Sequence, residues 1–313
     1  LIVGGNVEAL VANHILVDLG YDPKIVVGAA NTQNSFVFGP WRPVGASPVL
    51  ASVLDDLGIE YAEHNCNIGA AGVEGEGSEI LDVETAIERE LQTVKFDRFP
   101  EFRAAVAGRP ARELTFDRAA FYRELSMTAS LDTEALRIDS VRLDPCGSVM
   151  TRTEGLALGR YGFWYPDLVI VTAPPRVWDP GHEVLDFSVT EVLRAPSELL
   201  PFDLIELGGA SGFETVTWRN GNAMVETSGR GLPDLDELPR MLGVDKAIGF
   251  DAETSSFEVG GTRYRIGTTS RVRREVGDVS KLPSNTLALG RAATGEPQTL
   301  SQVAEQIADL IGK

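Results

Sequence analysis

The sequence predicts an α/β chain in two parts: a Rossmann-like domain that carries a β-meander, and an α+β domain built on an antiparallel sheet. Three observations predict this. Leu1 to Ala30 reads strand, glycine turn, helix, strand. Asn285 to Ile311 reads strand, Gly-Arg, short loop, helix. Between them, Asn220-Gly221 and Gly260-Gly261 each separate two β-rich runs, as tight antiparallel hairpins require.

The first strand is the apolar run Leu1–Val3, ending in Gly4-Gly5. Val7, Leu10, Val11, His14 and Ile15 follow at helical spacing, and Leu19 closes the stripe before Gly20, a helix stop. His14 lies on that stripe and reads as a core residue. Lys24–Val27 is a second buried strand. A strand, turn, helix and strand within about 30 residues is the dinucleotide-binding βαβ unit. A turn without side chains lets a pyrophosphate meet the helix's N–H groups at the positive end of its dipole. The G-x-G-x-x-G/A pattern falls on Gly4, Asn6 and Ala9. Asn6 puts a side chain where the phosphate should approach, and Gly28 stands where an acid would hold a ribose hydroxyl. The same residues also suit an ordinary βαβ start with an empty crevice.

A polar segment from Asn31 to Trp41, containing Gly39-Pro40, then runs past the mouth of that crevice. Ser47 caps a helix that reaches Leu57, with Pro48 at its first position and Gly58 as stop. Ile59–Ala62 reads as a strand, residues 68–80 as a Gly-rich loop or hairpin tip, and Val83–Val94 and Phe96–Gly108 as helices. Thr115–Leu125 is an amphipathic helix. The period then changes to strands at Ala135–Leu143, Gly147–Thr153 and Gly155–Tyr161, with turn chemistry in Asp144-Pro145-Cys146-Gly147. This meander leads to Asp167–Pro175, a buried strand that stops in a loop. Tyr161, Phe163, Trp164 and Tyr165 either line a pocket or fill the meander core, and the core is the preferred reading.

Phe202–Leu207, Glu214–Trp218, Ala223–Thr227, Ser256–Val259 and Thr262–Ile266 supply the second sheet, with a short helix near Leu235–Leu242. No internal repeat stands out. Leu287 and Leu289 belong to a strand ending at Gly290, and Leu300, Val303, Ala304, Ile307 and Ile311 stripe the closing helix. The expected nucleotide-binding domain therefore joins 1–58, 115–175 and 267–313. The substrate or partner domain takes 59–114 and 176–266.

The 313 residues carry a net charge of −18 and a pI near 4.6. Such a field repels phosphate backbones and argues against a nucleic-acid partner, although a salt-adapted host would also explain it. No run approaches the roughly 18 apolar residues that cross a bilayer, and no signal peptide is visible. Cys66 and Cys146 stand apart without a CxxC, which argues against a zinc site or disulfide framework and leaves the cytoplasm as the expected compartment. His64 and His182 read as isolated, so a Ser-His-Asp hydrolase is disfavoured. Asp55-Asp56 sits on a helix surface.

Together, the Gly4/Gly5 start, the Gly39-Pro40 loop, the DLVIVTAPP strand at 167–175 and the terminal LALGR…TLSQVAEQIADL resemble FAD-dependent oxidoreductases of the glutathione-reductase-like fold. The nearest branches are amine oxidases, phytoene desaturases and UDP-galactopyranose mutases. Gly290-Arg291 and Ser301-Gln302-Val303 look most like the mutases, whose closing helix reads aspartate-methionine-aspartate-glutamine where this chain has Thr299-Leu300-Ser301-Gln302.

The resemblance implies FAD as cofactor, with Gly4, Gly5, Asn6 and Ala9 at its pyrophosphate. It puts Gly39 and Pro40 near the flavin, and Thr172, Ala173 and Pro174 beside the adenosine. Gly290 and Arg291 would approach the ribityl or pyrophosphate, and Leu300, Ser301 and Gln302 would meet the isoalloxazine edge. Trp41 departs from the mutases, which carry His after Gly-Pro. The implied activity is amine oxidase-like redox chemistry on a small molecule. The alternatives are mutase-like flavin-dependent isomerisation and a degenerate member without FAD that binds a ligand or partner.

On the residues' own chemistry, the backbone N–H of Leu300 or Ser301 could stabilise a reduced flavin, or could be a plain helix start. Arg291 could grip a phosphate or form a salt bridge. Arg263, Arg265, Arg271, Arg273 and Arg274 could bind an anionic substrate, but more naturally face neighbouring acids.

Overall fold

The computed structural model describes residues 1–28, 44–71, 81–82, 111–129, 137–143, 147–153, 161–175, 177–178, 184–193, 204–207, 215–219, 222–228, 256–259, 262–265, 267–293 and 298–312. In chain order its strands begin with β1 (Ile2–Val3), β2 (Ile25–Gly28), β3 (Tyr61–Cys66), β4 (Ile68–Ala71), β5 (Leu81–Asp82) and β6 (Ala111–Phe116). Next come β7 (Arg137–Leu143), β8 (Val149–Thr153), β9 (Tyr161–Trp164), β10 (Val169–Val171), β11 (Val177–Trp178) and β12 (Val184–Leu193). The remainder are β13 (Leu204–Leu207), β14 (Thr215–Arg219), β15 (Asn222–Ser228), β16 (Ser256–Val259), β17 (Thr262–Arg265), β18 (Gly267–Val276) and β19 (Thr286–Ala288). The helices are α1 (Val7–Asp18), α2 (Pro48–Asp56), α3 (Arg118–Thr128) and α4 (Leu300–Ile311).

The first sheet runs β19-β10-β1-β2-β7-β8-β9, with β11 also beside β7. Strands β19, β10, β1, β2 and β7 are mutually parallel, and β8 and β9 return antiparallel as the expected meander. Central parallel strands are covered on both faces and therefore read as unbroken apolar runs. Ile2, Val3, Val169, Ile170 and Val171 are each at most 1% exposed. Successive side chains serve opposite faces. Ile2 and Ile170 enter a core shared with α1, α2, α3 and α4, while Val3, Val169 and Val171 join Val26, Trp178 and Val276 on the other side. The chain's two ends thus meet: Val7, Leu10 and Val11 of α1 share one core with Leu300, Val303 and Ile307 of α4. The architecture is α/β, as expected.

The second sheet runs β18-β12-β15-β14-β13-β4-β5 and is antiparallel except between β13 and β4. Both hairpin ladders form. Arg219 pairs with Asn222 and Val259 with Thr262, while their turn dipeptides lie outside the described residues. A third ladder, β3–β6, stands antiparallel, with His64 opposite Glu113.

Several element boundaries are corrected. The expected strand at 59–62 extends to Cys66 as β3, because its polar residues find hydrogen-bonding partners along β6. Residues 68–71, expected in a loop, form β4 against β13. Thr115 and Phe116 belong to β6, and α3 starts later because the Asp117 carboxylate accepts the N–H groups of Ala119 and Ala120 as an N-cap. The third meander strand is Tyr161–Trp164. It does not fill a core with its aromatics: Phe163 is 66% and Tyr165 85% exposed, and Trp164 is the ring that packs. The helices expected at 83–94, 96–108 and 235–242, and the Gly39-Pro40 loop, lie outside the described residues.

Candidate functional site

In an open parallel sheet, ligands settle at the carboxyl ends of the strands, where successive connections depart in opposite directions. Here the chain leaves β1 through α1 to β2 on one side. On the other side β10 leads on to β19, beyond it. The switch point therefore lies between β1 and β10. Three turns reach it: Gly4-Gly5 after β1, Thr172-Ala173 after β10, and Gly290 after β19.

Gly4 has φ +144°, and a Cβ there would collide with Thr172 Oγ1 and sit 3.0 Å from the Ala173 nitrogen. No other residue type lets these two strand ends close so tightly. Gly290 has φ +61°, and its missing Cβ leaves room for Glu8, whose Cγ would lie at 2.9 Å. Glu8 is 8% exposed in the first turn of α1. The end of β19 and the start of α1 are therefore in contact.

Asn6 decides the character of the crevice. It is 2% exposed and N-caps α1: its Oδ1 accepts the Ala9 N–H at 3.2 Å, and its Nδ2 donates to the Thr172 carbonyl at 2.9 Å. The side chain therefore crosses the switch point and ties α1 to β10. An amide nitrogen carries two hydrogens, so one remains beyond the bond to Thr172. Ala9 is fully buried in the core, where a small third residue lets helix and strand approach.

The start of α4 is organised differently. Thr299 Oγ1 accepts the Gln302 N–H at 3.3 Å, and Gln302 Oε1 accepts the Thr299 N–H at 3.0 Å, a reciprocal capping box. The Ser301 N–H, one of two expected to face a flavin, instead donates to the Val44 carbonyl at 3.0 Å. The Gly290 N–H is likewise held, by Gln298 Oε1 at 2.9 Å. Ser301 Oγ is buried and has no hydrogen-bond partner among the described residues. A buried hydroxyl without a partner is costly, and a polar ligand group at the α4 start would relieve it. The residues thus fit a diphosphate-bearing cofactor on two counts, the glycine turn at the switch point and this orphaned hydroxyl.

Of the residues implied to touch a cofactor, Gly4, Gly5, Asn6, Thr172, Ala173, Pro174, Gly290, Leu300, Ser301 and Gln302 are brought to one edge by β1, β10, β19 and α4. Gln302 spends its side chain on the cap. Gly39, Pro40 and the side chain of Arg291 lie outside the description. In the basic cluster, strand register sets Arg274 opposite Asp186 and Arg263 opposite Glu258, but Arg271, Arg273 and Arg265 opposite Val189, Phe187 and Ser256. His14 is only partly buried and lies outside the core cluster, its side chain 15% exposed and its Nε2 3.9 Å from Asp56 Oδ2. His64 is not isolated, which corrects the sequence reading: it stands beside Cys66 and opposite Glu113. Glu8 was not singled out by sequence. The signal available was an acid inside the first turn of a helix that should receive an anion.

No family model matches the chain, and no curated protein matches it. Solved structures do. A CLA-producing fatty acid isomerase from P. acnes superposes with a TM-score of 0.51 at 12% identity, covering 99% of this chain and 97% of that one. A putrescine oxidase bound to putrescine gives a TM-score of 0.48 at 12% identity, over 100% of this chain and 98% of its own. A glycerol-3-phosphate dehydrogenase from Bacillus halodurans complexed with FAD gives 0.47 at 12% identity, over 99% of this chain and 64% of its own. The fold is similar to that of the isomerase. Among the described residues, no helix is long and apolar enough to cross a membrane.

Proposed function

We propose that the chain is a flavoprotein that binds FAD at the β1–β10 switch point and acts on a small molecule by oxidoreductase chemistry of the amine oxidase type. The carrying observation is the delivery of Gly4-Gly5, Thr172-Ala173 and Gly290 to one sheet edge by three adjacent parallel strands. In this reading Gly4, Gly5 and the first turn of α1 hold the diphosphate, with the second Asn6 amide hydrogen as a donor in place of the missing glycine. Thr172, Ala173 and Pro174 lie along the adenosine, and Gly290 with Arg291 approaches the ribityl or pyrophosphate. Ser301 Oγ supplies a hydroxyl, and Leu300 closes the apolar side. FAD, when bound, supplies the hydride- and electron-accepting ring; the chain orients it, excludes water and sets its electrostatics.

One observation favours a second reading. The Asn6 side chain bridges α1 and β10, and the N–H groups of Ala9, Gly290 and Ser301 already have internal acceptors. That arrangement suits a member of this fold that has given up FAD and serves as a binding or partner protein. Mutase-like isomerisation uses the same cradle and differs only in the substrate side. The visible spectrum of the protein purified from its expression host separates the readings. A yellow protein that releases FAD on denaturation supports the flavoprotein. A colourless protein that stays colourless with added FAD supports the second.

A further inference from the structure

The β3–β6 ladder carries a cluster that the cofactor reading does not use. His64 and Cys66 are two residues apart on β3 and so share one face, and Glu113 of β6 is the register partner of His64. One ligand atom from each lies within 4.8 Å of the other two. Cys66 Sγ donates to Glu113 Oε2 at 3.1 Å and stands 4.0 Å from His64 Nε2. Two ligands on one zinc-type ion sit about 3.5 Å apart, from bond lengths of roughly 2.0–2.3 Å. The observed separations bracket that value.

Glu113 is fully buried, and its two oxygens do different work. Oε1 accepts the Val44 N–H at 3.3 Å and pairs with Arg118 at 3.7 Å. Oε2 accepts from Cys66. Anchoring one oxygen of a ligating carboxylate is how outer partners orient a metal ligand.

We propose that His64 Nε2, Cys66 Sγ and Glu113 Oε2 form a binding site for a zinc-type divalent cation, with the fourth position taken by water. An imidazole, a thiolate and a carboxylate make a donor set of the kind zinc takes and calcium or magnesium does not. On binding, the S–H bond of Cys66 breaks, a metal–sulfur bond forms and the proton leaves to solvent, so the cation replaces the proton now shared with Glu113. No redox change is involved. The site pins β3 to β6. Through Glu113 and Val44 it also reaches the start of α4, because the Val44 carbonyl holds the Ser301 N–H.

The test uses the full chain, stripped of metal with a chelator, kept reduced, and titrated with Co(II). The site predicts saturation at one equivalent, a thiolate-to-cobalt charge-transfer band, displacement by Zn(II), and release of about one proton per ion near neutral pH. Cys66→Ser abolishes the band, and His64→Ala weakens binding about tenfold or more. Cys146→Ser, at the only other cysteine, leaves both unchanged. A wild-type chain with no charge-transfer band, or a band that survives Cys66→Ser, overturns the site. Should Cys66→Ser fail to fold, unchanged affinity in His64→Ala overturns it equally. Flavin content is read separately in the same samples, so neither result decides the other.

Discussion

Two helices begin at the same sheet edge, and their caps do different jobs. The cap of α4 is self-contained: Thr299 and Gln302 satisfy each other, and the neighbouring Ser301 hydroxyl is left over. The cap of α1 is shared: one end of Asn6 holds its own helix, and the other crosses to the carbonyl of Thr172, just past β10. A local cap can be lost without moving anything else. A shared cap is also a tertiary contact, so its loss opens the crevice between the two halves of the sheet. The same contrast holds for the glycines. Gly4 is hemmed in by Thr172 and the backbone of Ala173, whereas the nearest neighbours of Gly290 are side-chain atoms of Glu8.

The largest expected effect breaks the tighter member of each pair. Gly4→Val combines a left-handed φ with a collision against β10. Strain and overpacking together cost about 3–5 kcal/mol, so the urea midpoint should fall steeply and any flavin be lost. Gly290→Ala should cost less, about 1–3 kcal/mol, since its nearest neighbours are side-chain rather than backbone atoms. Equal costs at the two positions would erase the distinction between them.

Next come the caps. Asn6→Ala removes a cap, worth about 1 kcal/mol, and strands the buried Thr172 carbonyl, worth about 1–3 kcal/mol more. Thr299→Ala should lose only the cap, about 1 kcal/mol. Thermal or urea denaturation of the two variants side by side checks the ordering. Ser301→Ala should leave the ligand-free chain at least as stable, because the buried hydroxyl gives up no bond among the described residues, yet weaken FAD binding. A matched loss in both would mean the hydroxyl is structural.

The smallest effect lies on the far side of α4. Burial, and then the charge of Asp309 one turn on, push the Glu305 carboxyl above its usual range. A carboxyl whose folded pKa is raised adds stability below its unfolded value near 4.5, and that gain is lost as pH rises through the folded value. Glu305→Gln should therefore raise stability slightly at neutral pH, by a few tenths of a kcal/mol for relief of an i,i+4 repulsion, and flatten the pH profile in the weakly acidic range.

The parallel half of the fold was legible because its signals are local. Apolar runs at 1–3 and 169–171 must be central strands, Ser47-Pro48 and Thr299…Gln302 announce helix starts, and the glycines mark the turns. The roles of Asn6 and Glu8 were not legible, since nothing in the sequence says that an amide reaches a carbonyl 166 residues away. The strand β12 carries alternating polar residues that pair only with β15 and β18, so its identity is set by distant partners. The exposure of Phe163 and Tyr165 was hidden for the same reason: aromatic residues on a meander strand predict burial only when something covers that face. His64 and Cys66 looked solitary because their third partner comes from Glu113, far along the chain, and only the β3–β6 register brings it opposite.

The central claim is that the β1–β10 switch point accepts one FAD despite the amide that crosses it. It is tested most directly by titrating FAD into the purified, flavin-free chain and following the quenching of flavin fluorescence. Saturation at one FAD per chain, weakened by Ser301→Ala, is the expected result. Fluorescence that never departs from that of free FAD would contradict it and leave Asn6 as the plug of a closed crevice.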